Sequence, residues 1–357
     1  MKITVLSHYD RIALYHSLTP FLMKEFRHNF TFTNSPEYCL GKDRNTILIM
    51  VRQFLKPDRV DHDFLEKARK KYDRIAFFNG NAGGGIPRLE VLPYVDLFYS
   101  KALFKDKSLY GKKLYGGELY TQYFHERDNI SDDHDRDRRA ESDPEQLNKL
   151  RLSWNIGIGE FPRRKYIQRA GVALARATGM GVHSLLHSKS DYSWNISEEK
   201  TIPVHARILL TDKNTISYQR KLMLDMIQDK DIFLTGSTGQ KQYNQEIGAS
   251  RMTLSPFGWG ELCIRDFEAI LGESLLLKPD MSHLETWPDV FFPGETYVPL
   301  KWDASDLLEK TEYYLSHEQE QKEICQSASD VYKTQRDQLS LRFSGILKEI
   351  QGLKETV

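Results

Sequence analysis

Apolar residues in the first eighty positions come as short runs separated by charged stretches of helical period. Lys2 to Leu6 is one such run, and Leu18, Leu22 and Phe26 fall on one face of a helix predicted over 15–26. Asn29 to Thr33 and Thr46 to Val51 read as strands, Phe64 to Lys71 as a charged helix, and Arg74 to Phe78 as the strand after it. Strands alternating with helices imply a parallel sheet covered on both faces. The run ending at Phe78 feeds Asn79-Gly80-Asn81-Ala82-Gly83-Gly84-Gly85-Ile86-Pro87, where glycines and a closing proline forbid regular structure. A loop of that kind belongs at the carboxyl edge of the sheet, where open α/β folds bind ligands.

From Glu126 to Glu145 nearly every residue is charged or polar with no apolar period, which predicts an exposed, mobile connection. Trp154 to Gly159 and an apolar-spaced stretch from Tyr166 to Ala177 follow. A second alternating series opens near Pro203: Val204 to Leu210 is strand-like, Ser217 to Ile227 carries Leu222, Met226 and Ile227 at helical spacing, and Asp231 to Leu234 is strand-like again. The pattern predicts two α/β domains, residues 1–198 and 199–357, divided near Ser197 to Thr201. After Lys301 the chain turns polar and helical, with Leu307, Leu308, Tyr314 and Leu315 on one face and Leu339, Phe343, Ile346 and Ile350 further on. These last helices are expected to return toward the first domain.

A length of 357 residues agrees with two domains, and an apolar fraction of 40% suffices for sizeable cores. Fifty basic residues balance fifty acidic ones, so no global field draws in nucleic acid, and no nucleic-acid partner is expected. Three scattered cysteines, Cys39, Cys263 and Cys325, argue for a reducing compartment and against a disulfide framework or zinc ribbon. The first residues are too short an apolar stretch for a signal peptide, and no 18 apolar residues run together. The expectation is a cytoplasmic protein with at most peripheral membrane contact.

The most informative stretch is Ser250 to Leu277. Met252 to Leu254 reads as a strand, Pro256 to Gly260 as a glycine-bearing turn, and Glu261 to Leu271 as a helix capped by Gly272. A helix N-terminus beside backbone freed by Gly258 and Gly260 suits a diphosphate. Arg265 and Glu268, three apart, share a helical face. A guanidinium clamps phosphate, and a carboxylate accepts from the two hydroxyls of a ribose. The bland alternative for this pair is a surface ion pair. Phe257 and Trp259 read as packing residues, with Trp259 a second candidate for covering a base.

Ser255, Pro256, Phe257, Gly258, Arg265, Glu268, Ala269 and Gly272 give this stretch its resemblance to the nucleotide-sugar-binding core of GT-B glycosyltransferases. It resembles most the exostosin-type and bacterial "group 1" members. Tyr243 and Ser250 upstream and Lys278 to His283 downstream extend the likeness over most of residues 200–320, and only weakly into the first half. The resemblance implies a GT-B fold, in which two Rossmann-like domains face each other across a cleft. It implies a donor nucleoside diphosphate sugar in the second domain, with Glu268 on the ribose and Arg265 near the phosphates. A glycan or lipid-linked glycan acceptor would bind the first domain, in cell-surface polysaccharide synthesis, with no cofactor and no essential metal. Many retaining members place two glutamates eight positions apart. Here Gly260 stands eight before Glu268, and the nearest acid, Glu261, stands seven before, so a role for Glu261 at the donor sugar stays open.

Other candidates carry less pattern. Arg220 and Lys241 lie near predicted strand-to-helix junctions; the resemblance implies that such basic groups neutralise the leaving diphosphate, and the alternative is simply exposed charges. His8 and Asp10, with Tyr9, follow the first strand and are candidates for the base that takes a proton from an acceptor hydroxyl, or form a capped loop. His283, just past the strand at Leu277, is a candidate for the donor sugar. Asp133-His134-Asp135 and Asp135-Arg136-Asp137 resemble a DxD metal motif but sit in a solvated charge run. No Walker A lysine, Gly-x-Ser-x-Gly elbow or His-Glu-x-x-His helix occurs. A non-catalytic nucleotide-sugar-binding scaffold and a sugar-nucleotide epimerase of the same fold are the alternatives to a transferase.

Overall fold

The computed structural model describes residues 2–54, 60–85, 88–132, 140–161, 165–180, 192–211 and 213–352. Up to residue 152 these form β1 (Ile3–Ser7), β2 (Phe30–Thr33), β3 (Ile47–Val51), β4 (Arg74–Phe78), β5 (Leu97–Ser100), β6 (Ala102–Phe104) and β7 (Leu150–Leu152). All but β6 join one parallel sheet in the order β2-β1-β3-β4-β5-β7. Ile-Leu-Ile-Met-Val of β3 is wholly buried, as an unbroken apolar run must be when helices cover both faces of a parallel sheet. The strand order reverses between β1 and β3, which opens a crevice at their carboxyl ends.

Helices between these strands are α1 (Thr19–Leu22), α2 (Pro36–Gly41), α3 (His62–Lys71), α4 (Leu119–Asp128), α5 (Pro144–Leu147) and α6 (Lys165–Thr178). Ser35 caps α2 by accepting from Tyr38 N–H, with Pro36 at the position where a missing donor costs nothing. Asp61 caps α3 through Phe64 N–H at 2.9 Å. The single helix expected over 15–26 is instead a π-helical turn, Ala13–Ser17, and then α1, with Pro20 in the first turn of α1 and the chain leaving helical geometry at Met23. Proline cannot donate to a preceding turn, so it opens a new helix rather than continuing the old one.

After residue 200 the strands are β8 (Ile202–His205), β9 (Phe233–Leu234), β10 (Ser250–Leu254), β11 (Leu275–Pro279), β12 (Leu284–Thr286) and β13 (Val298–Leu300). Five of them form a second parallel sheet, β13-β11-β10-β8-β9. Its helices are α7 (Asn214–Ile227), α8 (Gln240–Gly248), α9 (Ile264–Leu271), α10 (Leu307–Ser316), α11 (Glu318–Asp337) and α12 (Leu339–Gln351). The strand expected to reach Leu210 stops at His205, and Leu209 and Leu210 are exposed.

The two sheets are joined in three ways. β6 pairs antiparallel with β12, placing Phe104 opposite Leu284. Phe104, Tyr110, Tyr120 and Phe124 share one apolar cluster with Phe257, Leu262, Phe267 and Leu284. α11 carries the chain back, with Tyr332 OH donating to Gly157 C=O at 2.6 Å, and α12 buries Phe343, Ile346 and Ile350 against the first sheet. Glu349 fixes that end by accepting from Tyr99 OH and Arg151 Nε, both at 2.6 Å.

Candidate functional site

A cavity of about 640 Å³ opens between the sheets, within the usual range for small-molecule sites. Arg11, Arg52, Gly80 and Lys101 bound it from the carboxyl ends of β1, β3, β4 and β5; Arg207, Gly236, Ser237, Gly258, Trp259 and Cys263 to Arg265 bound it from the second sheet. Both sheets therefore turn the edge that binds ligands in open α/β folds toward one space.

The second wall is organised by Asp266, which is fully buried. Its carboxylate accepts from Ser255 Oγ at 2.6 Å, from Cys263 N–H at 2.9 Å and from the equally buried Lys278 Nζ at 3.0 Å. The Cys263 contact is the reach-back half of a capping box, so α9 begins at Ile264 and not at Glu261 as expected. Glu261 thereby falls in the turn, unexposed, accepting from Gly84 N–H at 3.2 Å, with His283 Nε2 at 3.4 Å. Gly258 N–H is also spent inside the turn, on Gly260 C=O at 2.9 Å, so Gly258 does not free the amide expected of it.

Arg265 rises from the first turn of α9 against Tyr243, whose hydroxyl donates to Glu268 at 2.9 Å and accepts from Arg265 Nε at 3.4 Å. Arg265 also donates to Arg207 C=O at 2.5 Å and Leu254 C=O at 3.4 Å. Glu268 is only 5% exposed and borders the cavity, which removes the surface-pair reading. Arg220 reaches the same space from α7, donating to Phe257 C=O and Leu209 C=O, each at 2.8 Å. Trp259 is 58% exposed on the cavity wall rather than packed, whereas Phe257 is buried. Beneath this wall His205 is pushed down to about 3 by burial and then by Arg265.

The first wall includes Gly80 and Ala82 of the expected glycine loop, but none of its cations was among the expected residues. Arg52 pairs with Asp10 at 3.2 Å and donates to Gly80 C=O at 3.1 Å. Lys101 is 4% exposed, and burial followed by the Arg52 charge lowers it to about 7. Behind them His16 is buried, with Nδ1 donating to Ile156 C=O at 3.0 Å, and burial and then Lys101, with Arg11 and Arg52 further contributors, push it down to about 3. The signal that finds Arg52, Lys101 and Arg207 is positional: each cation follows the end of a parallel strand within two residues.

Of the expected residues, the structure gathers Arg220, Gly258, Arg265 and Glu268 around the cavity. Gly260 packs against the Ala82–Gly83 backbone, and Leu262 N–H donates to Ala82 C=O at 3.1 Å. Glu261 and His283 lie behind the turn, Lys241 is exposed on α8 away from the lining, and His8 is exposed, facing with Asp10 a separate recess shared with Asn34 and Arg176. The DxD-like segment over 133–137 lies outside the described residues.

No family model matches the chain. An Anabaena HepE structure solved with UDP and glucose aligns over 98% of this chain and 100% of its own, at 7% identity and TM-score 0.50. A Rickettsia africae glycosyltransferase aligns over 98% of this chain and 99% of its own, at 11% identity and TM-score 0.49. The pneumococcal O-GlcNAc transferase GtfA, solved with UDP and GlcNAc, aligns over 88% of this chain and 59% of its own, at 10% identity and TM-score 0.45. The Anabaena likeness is one of fold, and with the two facing parallel sheets it makes this an α/β chain of the GT-B fold, two Rossmann-like domains across a cleft.

Proposed function

We propose that the chain is a nucleotide-sugar-dependent glycosyltransferase of the exostosin-like or bacterial group 1 kind, acting in the cytoplasm on a glycan or lipid-linked glycan acceptor for cell-surface polysaccharide. The observation that carries the reading is the composition of the cavity's second wall: Arg207, Arg220, Arg265 and the buried carboxylate Glu268 converge where the carboxyl edges of two parallel sheets meet. Such a space suits an anionic diphosphate that carries a ribose. The Anabaena structure of the same fold was solved with UDP and glucose, which agrees with a nucleotide-sugar donor.

In this reading the diphosphate lies at the start of α9, against the positive end of the helix and the guanidiniums of Arg265 and Arg220. Glu268 accepts from the ribose hydroxyls, and Trp259 covers the base. An acceptor hydroxyl held by the first domain attacks the anomeric carbon; the new C–O bond forms as the bond to the diphosphate oxygen breaks. Negative charge grows on the leaving diphosphate, and arginines already fixed by backbone carbonyls stabilise it without reorganising. These guanidiniums take the place of a bound metal in the proposed mechanism.

The test is calorimetry with free UDP, GDP and CMP, followed by transfer and hydrolysis assays across their sugar conjugates. Binding of one nucleotide with turnover is expected, and absence of binding to all of them rejects the reading. A second reading, a nucleotide-sugar binder without turnover, is favoured by one observation: His8 lines a recess separate from the cavity. Tight nucleotide binding with no transfer to any acceptor class selects it.

A further inference from the structure

The proposed reading places the donor on the second wall and leaves the cations of the first wall without a task. Three of them, Arg11, Arg52 and Lys101, line the cavity, and all three are close enough to the buried His16 to act on its charge. Asp10 offsets two of them in part, by pairing with Arg52 and by acting on Lys101. Among the described residues neither Lys101 Nζ nor the Arg11 guanidinium has a hydrogen-bond partner, although Lys101 is 4% exposed. The Lys101 side chain is largely buried and its ammonium opens on the cavity, where a partly desolvated cation gains when a ligand oxyanion completes it. The second wall already supplies Arg207, Arg220 and Arg265 at the helix start, so one diphosphate there does not require the opposite wall.

We propose that Lys101, Arg52 and Arg11 form an oxyanion subsite that recognises a carboxylate or phosphate carried by the acceptor, so that the acceptor is an anionic sugar and not a neutral one. Resting on the transferase reading, this assigns the substrate class of its second substrate. Lys101 donates to the oxyanion from one side, and the two guanidiniums supply planar donor pairs from the others. The charges that act on Lys101 are Arg52 and Asp10, with His8 beside that pair; Arg11 lines the same wall, neutral His16 lies behind, and Arg207, Arg220, Arg265 and Glu268 stand across the cavity. Of these, Lys101 is the group held to about 7, so the subsite loses its central charge as pH rises through neutrality.

The test uses the full-length protein with and without saturating UDP and three probes, glucuronate, glucose 6-phosphate and glucose, titrated by calorimetry. Glucuronate and glucose 6-phosphate distinguish a carboxylate from a phosphate as the oxyanion, and glucose reports the neutral ring. At least one anionic sugar is expected to bind roughly ten- to a hundredfold tighter than glucose, as charged hydrogen bonds allow. Lys101→Met should abolish that preference while UDP affinity stays within about twofold, and Arg11→Gln, on a partly exposed side chain, should reduce it in a chain whose fold is not at risk. Glucuronate does not titrate near neutrality, so its affinity should fall between about pH 6 and 8 as Lys101 loses its proton, and Lys101→Met should remove that fall while His8, coupled to Asp10 and Arg52, remains in place. Equal binding of all three sugars, or binding of none in either state, overturns the proposal. A loss of UDP affinity in Lys101→Met comparable with that in Arg265→Ala also overturns it, by assigning the first wall to the donor. An anionic sugar bound by a protein that binds no nucleotide would support the subsite while rejecting the transferase reading.

Discussion

Every arginine on the second wall is anchored before a ligand arrives: Arg207 holds Glu246 at 2.7 Å, Arg220 two carbonyls, and Arg265 two carbonyls and Tyr243. On the first wall only Arg52 is anchored, and Lys101 and Arg11 have no hydrogen-bond partner among the described residues. The second wall therefore has its electrostatic orientation built into folding, as a site for developing charge requires. The first wall keeps charge in reserve, and its free energy improves only when an anion arrives.

The sharpest way to break this contrast is to remove the anchor. Asp266→Ala leaves Lys278 charged and fully buried with no carboxylate, which should cost about 3–5 kcal/mol in a urea titration. Asp266→Leu combined with Lys278→Met should recover most of that loss, because no uncompensated charge remains. On the opposite wall Lys101→Met deletes a buried cation without a partner, so stability should stay level or rise. Equal destabilisation by Asp266→Ala and Lys101→Met would erase the distinction between the walls.

Next in size is ligand binding at the anchored wall. Arg265→Ala and Glu268→Ala should each weaken nucleotide binding roughly ten- to a hundredfold, the worth of a charged hydrogen bond, and leave the unfolding midpoint close to that of the parent. Glu268→Gln keeps the shape and one acceptor, so it should fall between parent and alanine. Unfolding in place of weakened binding would make Arg265 and Glu268 structural members of α9 and nothing more.

The contrast also explains what could be read from the chain. The second wall comes from one contiguous window, in which strand, turn and helix succeed one another between Ser250 and Gly272, and its local chemistry survives in sequence. Even there the helix start shifted by three residues, because the carboxylate that sets it, Asp266, lies inside the helix and reaches back to Cys263. That shift moved Glu261 from the first turn of the helix to a buried position under Gly84. The glycines of 80–85 were placed at the sheet edge, and Gly80 and Ala82 do line the cavity. What sequence could not show is that Gly83 and Gly85 are needed because the Glu118 and Glu261 carboxylates press against them. The first wall was illegible for a different reason: Arg11, Arg52 and Lys101 follow three separate strands, and only the parallel order β1-β3-β4-β5 brings them together.

Acid should test both walls at once, since each rests on a buried neutral histidine, His16 under the first and His205 under the second. Both are held at about 3 in the folded chain, against about 6.5 unfolded. Between those values the unfolded chain binds more protons, so stability falls as pH drops below about 6.5. At pH 5.5, one unit below the unfolded value, each histidine should cost about 1.4 kcal/mol relative to neutral pH. His16→Gln, which keeps a donor for Ile156 C=O, should remove about half of the combined loss. Lys101→Met should lessen the part due to His16 only as pH nears the folded value of about 3, and leave that of His205 untouched, since of the two histidines Lys101 acts on His16 alone. An acid loss identical in parent and both variants would detach the histidines from the walls above them.

The smallest expected effect lies at Gly258, where a Cβ would run into Arg220 Nη2 and meet Cys263 Sγ at 3.7 Å. The guanidinium is the far end of a flexible side chain, so it swings aside without moving the backbone. In doing so it strains the two 2.8 Å bonds to Phe257 and Leu209 that aim it into the cavity. Gly258 does not have a positive φ, so alanine is tolerated there, and its stiffer unfolded chain offsets part of the crowding by about 0.4–1 kcal/mol. Gly258→Ala should therefore leave stability within about 1 kcal/mol of the parent and weaken nucleotide binding only a few-fold, roughly 3- to 10-fold. Anionic-sugar binding on the opposite wall should not change, because among the described residues Arg220 makes its hydrogen bonds to Phe257 and Leu209 and none to Arg11, Arg52 or Lys101. Calorimetry with both probes reads the two walls separately in one variant, and a loss of the sugar with the nucleotide retained would reverse their assignment.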